Sequence, residues 1–231
     1  MLHPDTLEFF RELRENNHKE WFDQNRSRYE KVKKDYHRLV GEFLLRMQKF
    51  DPSLAHLQIK DCTFRINRDI RFSKDKTPYK THLSIILSPY GKRMENAAYY
   101  VHLDEGAGSF AGGGIYMPGS EALKKIRAEI SAFHEDLEEI LANKDFAQTF
   151  DGLDREEKVL LTRPPKGFQA DHPAIELLKY KSFTATKPLD NSLLSNPDSV
   201  DYVVEILKKI KPLNDFINRG LSADEQGVNL P

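Results

Sequence analysis

The period of the hydrophobic pattern changes twice along this chain, and that change limits the folds open to it more than any single motif. Up to about position 50, apolar residues recur every three or four positions: Phe22, Tyr29, Val32, Tyr36, Leu39, Phe43 and Met47 fall on one stripe of a helix. Between 57 and 115 the spacing drops to two. Cys62, Phe64 and Ile66 alternate with Thr63, Arg65 and Asn67; Leu83, Ile85 and Leu87 with His82, Ser84 and Ile86; Tyr99, Val101 and Leu103 with Tyr100, His102 and Asp104. Alternation of this kind fits strands with one buried and one polar face. Short turn sequences join them, Pro89-Tyr90-Gly91 and Glu105-Gly106-Ala107-Gly108 among them, with no helix between, so neighbouring strands run antiparallel. After 118 the helical spacing returns. Helices, then strands, then helices define an α+β fold: an antiparallel β-sheet from the central region packed by long N-terminal, middle and C-terminal helices.

The boundaries follow from local chemistry. A first helix is expected over 4–15, with Pro4 in the first turn, where its missing N–H is harmless. Asn17 is expected to cap a second, long helix over 18–49, with Glu20 completing a capping box. Strands follow to 116, the last carrying Gly112-Gly113-Gly114. One long helix with Leu123, Ile126, Ile130, Phe133, Leu137 and Leu141 inward, a short helix at 145–150, another through 178 and a strand at 181–187 come next. The final helix runs to about 219, kinked or interrupted by Pro212. Residues 1–220 read as a single α+β domain and 221–231 as a loose C-terminal tail.

With 231 residues, 39% apolar, the chain can bury a core, and its 14 Phe and 9 Tyr argue against disorder. A net charge of −1 disfavours wholesale wrapping of nucleic acid. The lone Cys62 allows neither an internal disulfide nor a thiolate metal cluster and suits a reducing, cytoplasmic setting. No signal peptide and no apolar run of membrane-spanning length is visible, so no membrane partner is expected.

Against that neutral background the segment 60–82 holds seven Lys or Arg and three Asp. A local positive field points to an anion site or to a set of ion pairs. In the first reading Arg65, Arg68, Arg71, Lys74, Lys76 and Lys80 contact the anion and Asp69 and Asp75 orient them, while Phe72, Pro78 and Tyr79 pin the loop to the core. In the second the same charges only pair among themselves, which contributes roughly 0–1 kcal/mol each at a surface. If the strand phases hold, Arg65, Asn67, His82, Ser84, Tyr100, His102 and Asp104 share polar sheet faces, and His82 or His102 is the candidate for proton transfer. An ordinary solvated sheet face explains the same pattern equally well.

Other constellations carry less. His82, His102 and Asp104 have the donor chemistry for zinc or iron, but there is no H-x-H, H-E-x-x-H or cysteine pairing, so no metal is expected. The Gly112-Gly113-Gly114 run lacks phosphate-loop and dinucleotide spacing and reads as a bulge or close backbone crossing. Ser73, Ser84 and Ser109 lack a nucleophile-elbow context. Cys62 falls on the apolar face, and His172 before Pro173 reads as a loop or cap residue.

Several of these segments together are similar to a known family. Asn16-Asn17-His18-Lys19-Glu20-Trp21-Phe22, the run from Arg65 to Lys80, Gly112-Gly113-Gly114-Ile115-Tyr116, Pro165-Lys166-Gly167-Phe168 and Asp171-His172-Pro173 resemble the motifs of domain of unknown function 2461. The resemblance reaches to about 219. It implies a mainly bacterial, single-domain soluble protein with no assigned activity; it brings no catalytic residues to carry over, and the cofactor is unknown. The expected function is therefore a basic pocket for a small anionic ligand, phosphorylated or carboxylated, with or without catalysis. The alternative is a non-catalytic module that docks an acidic protein or nucleic acid through the 65–80 loop.

Overall fold

The first twelve-residue helix begins where proline allows it. In the computed structural model, which describes residues 1–92 and 95–223, α1 spans Pro4–Glu15, with Thr6, Phe9, Phe10 and Leu13 buried. The expected long second helix is two. Helix α2 covers Lys19–Gln24 and α3 covers Arg26–Phe50, separated at Asn25, whose side-chain amide donates to the Trp21 carbonyl. The cap of α2 is His18, not Asn17: His18 Nδ1 accepts from the Trp21 N–H.

The alternation at 62–67 does not make a regular strand. Ile59–Cys62 forms the short helix α4, started by the Asp61 carboxylate reaching back to the Gln58 N–H. Beyond it the chain arches and closes on itself: Arg68 N–H donates to the Pro78 carbonyl and Lys80 N–H to the Ile66 carbonyl, each at 2.8 Å. Six alternating residues are too few to separate a strand from a short helix running into an arch.

The sheet comprises β1 (Leu83–Leu87), β2 (Ala98–Leu103), β3 (Ser109–Ile115) and β4 (Phe183–Leu189), antiparallel and in that order. The chain is thus α+β with helices packed on a sheet, as the periodicity predicts. Along β2, Tyr99, Val101 and Leu103 are buried while Tyr100 and His102 are half-buried.

Between β3 and β4 lie α5 (Ser120–Ala132), α6 (His134–Ala142), α7 (Lys144–Phe150) and α8 (Ile175–Leu178). The expected single helix through Leu141 breaks at Phe133, whose φ of −135° and ψ of 40° are not helical. Phe133 is half exposed there, and Leu137 re-enters the core on α6. Helix α9 (Ser199–Ser222) runs through Pro212 as one element. Of the expected tail, Leu221 and Ser222 belong to α9, and 224–231 lies outside the described residues. No helix among the described residues is long and apolar enough to cross a membrane.

Contacts group the chain into two units. One contains Met1–Pro89, Tyr100–Ala111 and Pro188–Glu205. Its aromatic cluster joins Phe9, Phe10, Leu13, Phe22, Val32 and Tyr79, with Trp21, Tyr29, Ile66 and Leu83 against it. Trp21 is core-edge packing, its ring 5.5 Å from Phe9. The other contains Tyr90–Tyr99, Gly112–Lys187 and the described residues from Ile206 on. There the glycine run answers a close backbone approach: a Cβ at Gly113 would stand 2.3 Å from the Ala98 carbonyl, and Gly114 has a φ of +106°. His172 bonds Ser131 at 2.8 Å and accepts from the Ala174 N–H, a loop residue ahead of α8, whose N-cap is Ala174.

Candidate functional site

The basic arch is fastened at one end by two residues from distant parts of the sequence. Tyr79, 7% exposed, stacks on Phe22 with ring centroids 4.0 Å apart. Asn17 then clasps the Tyr79 backbone from both sides: its amide donates to the Tyr79 carbonyl at 2.9 Å and its carbonyl accepts from the Tyr79 N–H at 3.0 Å. Phe72 does not pin the loop; it is 94% exposed at the tip of the arch.

Within the arch most charges pair locally. Arg68 binds the Asp75 carboxylate and the Thr77 hydroxyl. Hydrogen bonds from the Thr77 backbone and then from Arg68 hold Asp75 down to about 2. Arg71 takes Asp69 in a two-pronged pair at 2.9 and 2.7 Å and keeps that carboxyl low. Lys76 donates to the Ile70 carbonyl. Lys74 is exposed. Asp69 and Asp75 therefore consume two of the expected anion contacts, Arg71 and Arg68.

Arg65 and Lys80 differ. Neither makes an ion pair or a side-chain hydrogen bond with the described residues. Lys80 is half-buried, its ammonium 5.2 Å from the Phe64 ring centre. Burial, and next the Arg65 charge, push its pKa down. Both line a recess closed by Tyr29, Val32, Lys33 and Tyr36 of α3 and by Phe64, Ile66, His82, Leu83 and Ser84. The cavity volume is about 20 Å³, room for roughly one water molecule. Tyr36 fixes the wall: its hydroxyl donates to the Ser84 carbonyl and accepts from the Phe64 N–H. Burial raises the Tyr36 pKa, so it stays a neutral donor.

Beyond Ser84 the polar face of β1 and β2 continues. Tyr100 donates to Ser84 Oγ at 2.8 Å, and Ser84 Oγ lies 3.3 Å from His102 Nδ1. The His82 and His102 rings are 4.5 Å apart, as cross-strand neighbours of an antiparallel pair can be. Burial, and next the His102 ring, push His82 down to about 4; burial lowers His102 as well. Asp104, 5% exposed, closes the group. Its Oδ1 accepts from Arg14 at 2.7 Å and from the backbone N–H groups of Gly106 and Ala107. One donor atom from each of His82, His102 and Asp104 falls within 4.8 Å of the other two.

The structure thus brings together Arg65, Lys80, His82, Ser84, Tyr100, His102 and Asp104, and it leaves Asp69, Arg71, Lys74, Asp75 and Lys76 on the arch. Lys33 and Tyr36 were invisible as site residues because in sequence they belong to an ordinary amphipathic helix. Arg14, on α1, carried no signal at all, since nothing local relates it to Asp104 ninety positions on. No curated protein and no solved structure matches the chain. The family described as conserved hypothetical protein DUF2461 matches residues 5–216, nearly the whole length, and the chain belongs to it.

Proposed function

We propose that this chain binds a small anionic group, a phosphate or carboxylate, at the recess between α3 and the base of the basic arch. The observation that carries the reading is the state of Lys80: a half-buried ammonium with no carboxylate partner among the described residues, and with the exposed Arg65, which makes no ion pair with the described residues, as its neighbour. Partial burial of the Lys80 charge beside a second, exposed cation is unfavourable unless an anion compensates it. An oxygen atom of the ligand enters the recess, where Lys80, Arg65 and Lys33 neutralise it, and the rest of the ligand lies outside, because the cavity admits so little. Docking of an acidic macromolecule through the tip of the arch draws less support, since Arg68 and Arg71 are already paired and Lys76 is spent on a backbone carbonyl.

Titration with inorganic phosphate and with citrate, read by calorimetry and by the unfolding midpoint, tests this. Wild type is expected to bind at least one of them. Lys80→Met and Arg65→Ala are each expected to weaken binding about tenfold or more, while Arg71→Ala Lys76→Ala leaves it within about twofold. Equal loss in the Arg71/Lys76 variant, or binding indifferent to Lys80, refutes the recess.

A further inference from the structure

We infer that His82, His102 and Asp104 form a binding site for a divalent first-row transition metal ion. This goes beyond anion binding at the recess and does not depend on it. The donor set is two imidazoles and one carboxylate, the combination that suits zinc and non-haem iron, with no thiolate involved. The three donor atoms lie within 4.8 Å of one another. Three points so placed share a centre no more than about 2.8 Å from each, so shifts of under about 1 Å bring them to the roughly 2.0–2.2 Å of metal–nitrogen and metal–oxygen bonds.

The surroundings resemble a supporting shell more than accidental packing. Asp104 is fixed through one oxygen only: Arg14, Gly106 N–H and Ala107 N–H all go to Oδ1. Oδ2 makes no hydrogen bond with the described residues. His102 is oriented through Ser84, which Tyr100 in turn holds. Such outer contacts are what fix the orientation of ligating carboxylates and imidazoles. Neither ring nitrogen of His82 has a hydrogen-bond partner among the described residues, although the ring is half-buried. Simple packing of the two rings leaves both nitrogens unused; a metal takes the lone pair of one of them, and the other keeps its proton. The glycine at 106 belongs to the same arrangement, since a Cβ there would stand 2.2 Å from the Arg14 guanidinium carbon that braces Asp104.

The test is titration of the metal-free protein with Co²⁺ in a non-coordinating buffer free of phosphate and carboxylates, followed by visible d–d absorption. A band saturating at one equivalent is expected in wild type and in Lys80→Met, which separates this site from the anion recess. His82→Gln and His102→Gln are each expected to lower affinity more than about 100-fold, and Arg14→Met about tenfold, the usual range for an outer-shell partner. Should a substitution prevent folding, imidazole ¹H–¹⁵N spectra of wild type decide: one equivalent of Co²⁺ must shift or broaden His82 and His102 ahead of the other six histidines. No band, a band unchanged by both His variants, or uniform broadening of all histidines overturns the inference.

Discussion

Replacing Asn17 separates two accounts of the same residue with one pair of variants. As a helix cap, Asn17 would be exchangeable for Asp, which caps equally well. As a clasp on Tyr79 it is not, because it must donate and accept at once: Nδ2 to the Tyr79 carbonyl at 2.9 Å and Oδ1 from the Tyr79 N–H at 3.0 Å. Asn17→Ala removes both bonds and leaves the two backbone groups of a buried residue without partners. At about 1–3 kcal/mol for each unsatisfied group, offset where water reaches them, the expected loss is about 2–4 kcal/mol. Asn17→Asp keeps the acceptor but turns a carboxylate oxygen toward the Tyr79 carbonyl, so it is expected to lose nearly as much. Urea unfolding followed by far-UV circular dichroism gives the comparison, with both midpoints falling and the slope unchanged. An Asp variant as stable as wild type, beside a damaged Ala variant, would return Asn17 to the cap role and refute the clasp. The clasp also holds the base of the arch, so phosphate affinity is expected to fall with stability in both variants.

Asn214 is 4% exposed and neither of its amide atoms bonds a described residue, so Asn214→Leu is expected to raise stability by about 1–2 kcal/mol, measured by thermal unfolding. Gly113→Ala should destabilise by about 3 kcal/mol or more, because its Cβ meets the Ala98 carbonyl at 2.3 Å and Ile210 at 3.2 Å; soluble expression with a near-native midpoint would contradict this. Asp75 has a folded pKa of about 2 against an ordinary 3.8, so its contribution is present above pH 4 and is lost as pH falls from there toward 2. Asp75→Asn should therefore flatten the pH dependence of the unfolding midpoint across that window, and an unchanged profile would show that the carboxylate is not held.

Much of the fold could be read from local pattern, because helix and strand register their burial in periods of 3.6 and two. Helix α1, strands β1 to β4 and the α+β class followed from those periods and from proline and glycine placement. The places where the pattern misled are short-range decisions with near-equal alternatives. Asn25 and Phe133 each turn a continuous apolar stripe into two helices, and a six-residue alternation became α4 and an arch.

The site divides along the same line. Residue order located the charge cluster and strand alternation picked out the imidazoles, since residue identity carries charge and donor chemistry wherever the chain goes. Which cations stay without an ion pair among the described residues was decided only by tertiary structure: Asp69 and Asp75 neutralise Arg71 and Arg68 within the arch, while Lys80, half-buried in the recess against α3, meets no carboxylate of the described residues. The grouping of His82, His102 and Asp104 under Arg14 is of the same kind. It depends on strand pairing and on a helix ninety residues away, and contacts between distant segments leave no periodic trace in the sequence.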